Sequence, residues 1–366
     1  MKKRSILIDG AYFLYKTLFI SQEFNSKETQ LDSKKSVEQF VRKVFIDISA
    51  ILRSLPSHQR IVFTSESKSW RKSILISGDG YKSNREDIKS SMVNWDNFYN
   101  ATNEIIDILS NNGVVHSKIN NAEGDDLLYL WANQLLKEED DVIILTGDKD
   151  LYQCVKYNND NEIYLLNPNS KNRILAIEDV IRNLSEKNDI YNGLFDEYVG
   201  INSTFEDLNK ICKEVVKIDI EKFVLCKIAE GDKGDNVHSI FEWQKNGSTF
   251  KFTANKMLKI LEKYPHININ NLESNVDIIA KEVLELTKQK GDIEKIKENI
   301  LLNKKVLYLD TSTIPNEIQT QFLDHYLETK DKRINFKNMN MKDILQDTKY
   351  IDKNKGIQID LFKDLD

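Results

Sequence analysis

Apolar and polar positions along the chain follow two alternating rhythms. Short apolar runs, "SILID" (5–9), "RIVFT" (60–64), "GVVHS" (113–117), "DVIILT" (141–146) and "EIYLL" (162–166), predict buried β-strands. Between them, "SVEQFVRKVFIDISAILRSL" (36–55) and "AEGDDLLYLWANQLLK" (122–137) place apolar residues at helical spacing. This alternation predicts an α/β core over residues 1–190, with a mostly parallel, doubly wound central sheet flanked by helices. Residues 191–330 read as a helical half, with helices at about 204–230, 252–264, 275–302 and 315–328, and residues 331–366 as a polar tail. One segment breaks the rhythm: 77–100, "SGDGYKSNREDIKSSMVNWDNFYN", opens with Gly-rich turn chemistry and carries Trp95, Phe98 and Tyr99. Loops of this length inside an α/β domain are usually functional or disordered.

Composition narrows the class. The 366 residues are 40% hydrophobic and 30% charged, enough to bury a core in one large domain or two smaller ones, and 13 Gly with 4 Pro argue against long disordered stretches. Lys and Arg number 52 against 58 Asp and Glu, a net charge of −6 that on its own argues against a nucleic-acid partner. The local balance is the reverse: Arg60, Lys68, Arg71, Lys72, Lys82, Arg85 and Lys89 face only four acids between positions 60 and 89. The three cysteines and five histidines are scattered, which excludes a disulfide framework and zinc spacing and fits a cytoplasmic location. Asp9 and Lys16 interrupt the N-terminal apolar run, so it is not read as a signal peptide, and no stretch reaches the ~18 apolar residues of a membrane span.

The informative charges are acidic. Ligand sites in open parallel sheets lie beyond the carboxyl ends of the strands. Asp9 ends the first strand, Asp148 and Asp150 in "TGDKDLYQ" (146–153) follow the fourth, and Glu123, Asp125 and Asp126 open the helix after the third. "EGDKGDNV" (230–237) adds Asp232 and Asp235, three apart, at the end of a helix. Each motif alone has an ordinary reading, as a turn, a helix start suited to the dipole or a polar loop. Their joint occurrence in this order favours convergence. Two unit charges ~4 Å apart repel by about 4 kcal/mol at an effective dielectric of ~20, so such a cluster must raise its pKa values or hold cations. All-oxygen ligands favour Mg²⁺ or Mn²⁺, and two such ions ~3.5–4 Å apart suit phosphodiester hydrolysis.

Together, "ILIDG" (6–10), "YKSNR" (81–85), "AEGDD" (122–126), "TGDKDLYQ" (146–153) and "GDKGDNV" (231–237) resemble the 5′-nuclease (flap endonuclease) family over about residues 1–330. "GDKGDNV" without a following Pro-Gly, and "NKKVLYLDTSTIPNEIQTQFLDHY" (303–326), resemble its phage T4-type ribonuclease H branch, enzymes that remove RNA primers. The resemblance implies a PIN-like fold, two divalent ions, and 5′→3′ exonuclease and flap endonuclease activity on DNA and RNA/DNA duplexes with 5′ ends or flaps. It implies a first ion at Asp9, Asp125 and Asp148 and a second at Asp150, Asp232 and Asp235, directly or through water, with Glu123 and Asp126 completing the ring. The family usually ends its second strand in Asp; here "VFTSESKSWR" (62–71) has Ser65, with Glu66 beside it to reach the metal, and keeps the Arg as Arg71. Lys82 and Arg85 would clamp the scissile phosphate, and segment 77–100 would arch over the single-stranded 5′ end, with Trp95 stacking on bases. The helical half would form a helix–hairpin–helix that grips duplex backbone, sometimes with a K⁺ ion. Here "HSIFEWQKNGSTFK" (238–251) replaces the short glycine-rich hairpin, which leaves K⁺ open, and Lys245, Lys251 and Lys256 are the phosphate candidates.

"QIDLF" (358–362) resembles the peptide by which bacterial replication proteins bind the sliding clamp, with Gln358, Leu361 and Phe362 as anchors. Other expected partners are none or few: a monomer, no membrane, and single-stranded-DNA-binding protein at the fork. Two other readings stay open: a structure-specific DNA-binding or clamp-adaptor protein whose metal site is impaired by Ser65, and a toxin-like RNA-cleaving nuclease, against which the helical half argues.

Overall fold

The computed structural model describes residues 3–20, 31–54, 60–76, 79–83, 93–138, 140–157, 162–166 and 220–333. The strands are β1 (Lys3–Asp9), β2 (Arg60–Thr64), β3 (Leu75–Ile76), β4 (Asp79–Gly80), β5 (Val115–Ser117), β6 (Asp140–Leu145), β7 (Lys156–Tyr157) and β8 (Glu162–Leu166). Six of them form one sheet in the order β5-β2-β1-β6-β8-β7, while β3 and β4 make a separate two-stranded ribbon. Five strands run parallel, and β7 pairs antiparallel with β8 at the edge. The order reverses beside β1, which pairs with β6 in the register Ile6↔Ile143 and Ile8↔Leu145. The apolar runs are continuous because these strands are covered on both faces: Ile6, Leu7 and Ile8 have no exposed surface, and β2 and β6 are buried throughout. This is the PIN-like α/β fold with a helical C-terminal half that the pattern and motifs predict.

The chain divides into two compact units: Met1–Tyr12, Val62–Lys89 and Ser117–Asp331, and Phe13–Ile61, Ser90–His116 and Lys332–Asp366. In the first, α4 (Gly124–Lys137) packs on β1 and β6. Its Trp131 donates to Ser117 Oγ at 2.9 Å and meets Phe322 and Tyr326 edge-on, with ring centroids 5.4 Å away in each case. The helical half consists of α5 (220–230), the hairpin β9 (Glu242–Lys245) and β10 (Ser248–Lys251), α6 (Ala254–Lys263), α7 (Leu272–Thr287), α8 (Ile293–Leu307) and α9 (Asn316–Thr329). Phe252, Ile260, Ile279, Val283 and Ile300 form its core. The helix expected over 275–302 is two helices. Lys288 adopts a left-handed conformation (φ 53°) that caps α7, and Asp292 accepts from Glu294 N and Lys295 N to start α8. Gly291 lies between them, where a Cβ would sit 2.7 Å from the Phe241 ring.

The second unit contains most of α1 (Gly10–Ile20), α2 (Lys34–Ser54) and α3 (Trp95–Asn111). Phe98 is buried, 5.7 Å from the Phe40 ring and 5.5 Å from Tyr15. This shortens the interrupting segment. Residues 95–100 are helix, started by Asn94, whose side chain accepts from Asn97 N. Among the described residues no helix is long and apolar enough to cross a membrane. The expected boundary near 190, residues 84–92 with Arg85, and the tail from 334 on with Gln358, Leu361 and Phe362 lie outside the described residues.

Candidate metal centre

The site assembles within the first unit at the carboxyl ends of β1 and β6 and the start of α4. Gly10 lets the chain turn straight from β1 into α1: a Cβ there would lie 2.2 Å from Thr64 O and 2.4 Å from the Phe63 ring. Asp9 is thereby held at the strand end, buried, accepting from Tyr12 N at 3.0 Å and Thr146 Oγ1 at 2.7 Å. Burial raises its pKa from 3.8 to about 6, against the two hydrogen bonds, with Asp148 and Glu66 adding to the rise. Asp125, in the first turn of α4, is pushed well above the usual carboxylate range by burial, then by Asp148 and Asp9. Asp148 is exposed, and its side chain accepts from Asp150 N at 2.9 Å to start a short 3₁₀ turn, Lys149–Cys154. These three carboxylates therefore share one field. Glu66 joins it: its Cγ lies 3.7 Å from where a Cβ on Gly124 would stand, and its charge reaches Asp9. That is the place where the family's second-strand Asp is missing.

A second group forms beside the first. Asp150, Asp232 and Asp235 each offer a carboxylate oxygen within 4.8 Å of the others. Asp232 starts a 3₁₀ turn by accepting from Gly234 N at 2.8 Å, and Asn236 ends it in a left-handed conformation (φ 58°). The two groups fit divalent cations. Their donors are all carboxylate oxygens, and the raised pKa values of Asp9 and Asp125 mark negative charge that a cation would neutralise. The penalty is measurable in metal-free protein. Between about pH 4 and 6 folded Asp9 binds more proton than the unfolded chain, so stability falls as pH rises through this window, by up to roughly 3 kcal/mol, and stays lowered above it. Thermal midpoints in EDTA should therefore differ less between pH 5 and 7.5 in Asp9→Asn than in wild type. Identical pH dependence would show that Asp9 bears no such cost.

Asp126, expected with Glu123 to complete the ring, serves differently. Asp126 is fully buried and accepts from Arg71 Nη2 at 2.7 Å, Arg71 Nη1 at 3.0 Å, Trp70 Nε1 at 3.1 Å and Glu123 N at 3.1 Å. Four donors fill a carboxylate, so Asp126 is a structural anchor rather than a metal ligand. Glu123 holds Arg71 at 2.8 Å and Lys82 Nζ at 2.5 Å. Burial raises its pKa, but the Lys82 and Arg71 charges outweigh that, and the net shift is downward. Arg71, expected at the nucleic-acid surface, is 2% exposed and donates Nε to Val306 O at 2.9 Å. A guanidinium spent on three internal acceptors is not a phosphate contact.

Lys82 stands between the groups at a left-handed turn (φ 55°), bonded through its N–H to Asp235 O at 3.0 Å, with Nζ 3.8 Å from Asp235 Oδ2. Trp95 packs its ring on Phe98 at 5.6 Å and Tyr99 at 6.2 Å; of these three Tyr99 is the exposed one. Lys245 and Lys251 are exposed on the β9–β10 hairpin, whose Asn246-Gly247 turn has positive φ at both positions, and Lys251 lies 3.4 Å from Glu230. Lys256 Nζ sits 4.7 Å above the Trp243 ring. A cleft of about 360 Å³ leads from Asp150 and Asp232 past Lys149, Lys227 and Lys233 to Lys251.

Three further residues escape a reading of local pattern. Tyr81 is buried and donates to Asp235 Oδ2 at 2.9 Å. Gln153 ties the 3₁₀ turn to the end of α8, donating to Asp150 O at 2.8 Å and accepting from Leu309 N at 2.8 Å. Both belong to quoted motifs, so a signal existed. Lys227 bridges Asp150 and Asp232; it lies in the last turn of α5, where a basic residue is ordinary.

Residues 4–185 match the family model described as the 5′-3′ exonuclease, N-terminal resolvase-like domain. A 5′-3′ exonuclease of Buchnera aphidicola subsp. Schizaphis graminum is 31% identical over 195 residues, 52% of this chain and 58% of that protein, so the chain spans less than two thirds of that relative. Among solved structures, the bacteriophage T5 D15 protein crystallised with metal ions aligns over 90% of this chain and 100% of its own, with a TM-score of 0.55 at 14% identity. The T5 flap endonuclease in a pseudo-enzyme–product complex with DNA and metal ions aligns over 89% and 99%, with a TM-score of 0.53 at 14% identity. At this identity the structures establish the fold.

Proposed function

With an N-terminal resolvase-like domain over residues 4–185, the chain belongs to the 5′-nuclease family, and we propose that it is a divalent-metal-dependent 5′→3′ exonuclease and flap endonuclease. The observation that carries this reading is the gathering of carboxylates from five separated stretches into two adjoining groups. Asp9, Asp125, Asp148 and Glu66 would hold one Mg²⁺ or Mn²⁺, and Asp150, Asp232 and Asp235 the other. When bound, such ions supply a water of lowered pKa and neutralise the leaving 3′-oxygen. The chain's own residues do the rest. Arg71 and Asp126 fix the start of α4 so that Asp125 faces Asp9. Lys82, held at Glu123 without substrate, would turn its ammonium to the scissile phosphate, and Arg85 would supply a second cation. Lys251, at the rim of the lysine-lined cleft, and Lys245 and Lys256 would contact duplex backbone. The T5 structure's complex with DNA and metal ions supports DNA and metal ions as this chain's partners.

Within the family we assign the chain to removal of RNA primers at replication forks, with the 358–362 peptide recruiting a sliding clamp. One assay tests the reading: a 5′-labelled flap duplex, as DNA/DNA and as RNA/DNA, incubated with Mg²⁺ or EDTA, with and without clamp. Cleavage at the junction that EDTA abolishes is expected, and clamp should stimulate the full chain but not a chain lacking residues 357–366. Tight binding without cleavage would favour a DNA-binding adaptor, and cleavage of single-stranded RNA alone a toxin-like nuclease; either result defeats the proposal.

A further inference from the structure

The second carboxylate group is not bare. Lys227 places Nζ on Asp150 Oδ1 and 3.2 Å from Asp232 Oδ2, and its side chain is 13% exposed. The ammonium thus lies on two of the three carboxylates that would ligate the second ion, within the 4.8 Å cluster. In the first group, burial and mutual repulsion raise Asp9 and Asp125.

We infer that Lys227 is a tethered counter-cation of the second site, a positioning residue that holds Asp150 and Asp232 together without metal and weakens that site's affinity for a divalent ion. This rests on the two-ion reading above. The physical reason is competition. Three carboxylates present three negative charges, and Lys227 offsets one of them before an ion arrives. A divalent ion reaching Asp150 and Asp232 must either displace the ammonium or tolerate its repulsion at close range. Lys227 therefore makes the second site weaker than its three carboxylates alone would be. An ammonium displaced from Asp150 and Asp232 remains in the lysine-lined cleft, where a phosphate is the anion that would receive it. Second-site occupancy and substrate binding would then support each other through one side chain.

The test uses the full chain and Mn²⁺ as the probe, followed by calorimetry and by the electron paramagnetic resonance of free Mn²⁺. Wild type should show two classes of site. Lys227→Met, which keeps the stem and removes the charge, should bind the weaker ion at least about tenfold more tightly, whereas Lys227→Arg should stay near wild type. In EDTA, Lys227→Met should melt at lower temperature than wild type, and Mn²⁺ should raise its midpoint by more. If Lys227→Met fails to fold, Lys227→Gln, which keeps a donor to the carboxylates, should show the same tightening. Two Mn²⁺ ions in wild type with unchanged or weaker second-site binding in the neutral variants would overturn this role alone. A single ion in wild type would overturn both it and the two-ion reading.

Discussion

Asp148→Asn should lose flap cleavage by roughly 10³-fold or more while retaining affinity for the flap duplex. The substitution is nearly isosteric, and the local turn survives it. An asparagine Oδ1 still accepts from Asp150 N, as the carboxylate does at 2.9 Å, and the residue's own N–H still donates to Thr146 Oγ1 at 3.0 Å. What disappears is charge. Asp148 contributes to the raised pKa of both Asp9 and Asp125, so the first group loses one of its anionic oxygens and its remaining members ionise more easily. The number of Mn²⁺ ions bound per chain should fall with activity, and thermal stability in EDTA should hold or rise because repulsion is relieved. Cleavage within tenfold of wild type would remove Asp148 from the metal centre.

The sheet and its acidic edge were legible because both follow from local pattern. β2 and β8 begin and end where the apolar runs do, and strand ends of a parallel sheet collect ligands by topology. Asp9, Asp148 and Asp150 needed no further information to be placed together. The helix break at 288–292 is also written in the chain, as a Gly followed by Asp, but the apolar periodicity that continues on both sides masks it. The start of α3 was hidden by polar residues, since its buried side holds only Phe98 and Ala101 within the first two turns. The roles of the cations were not legible at all. Lys227 meets Asp150 across 77 residues, and Arg71 meets Val306 across 235. A charged residue's sequence neighbours do not show whether it faces water or a buried carboxylate. Hence Arg71 looked like a phosphate contact among its basic neighbours, and Asp126 like a metal ligand beside Asp125.

Arg71 gives the sharper contrast between those two readings. Arg71→Ala should destabilise the protein by about 3–5 kcal/mol in chemical denaturation, the cost of leaving a buried charge without its partner. Asp126 has no exposed surface and would keep only Trp70 Nε1 and Glu123 N as donors, and Glu123 would rest on Lys82 with weaker support from Tyr81. The Nε bond to Val306 O would also go, and with it a direct tie between the α4 start and the end of α8. Asp125 lies between Glu123 and Asp126 in sequence, so loosening both displaces a metal-site residue as well, and second-order losses in cleavage follow from the first-order loss in stability. Arg71→Lys should fall between wild type and Arg71→Ala, because one ammonium cannot reach two carboxylates and a carbonyl in the planar geometry a guanidinium spans. A phosphate contact behaves in the opposite way: its removal weakens DNA binding and reduces the salt dependence while leaving the fold intact. If Arg71→Ala unfolded within about 1 kcal/mol of wild type yet bound the flap duplex poorly, Arg71 would return to the nucleic-acid interface and the buried network would lose its structural meaning.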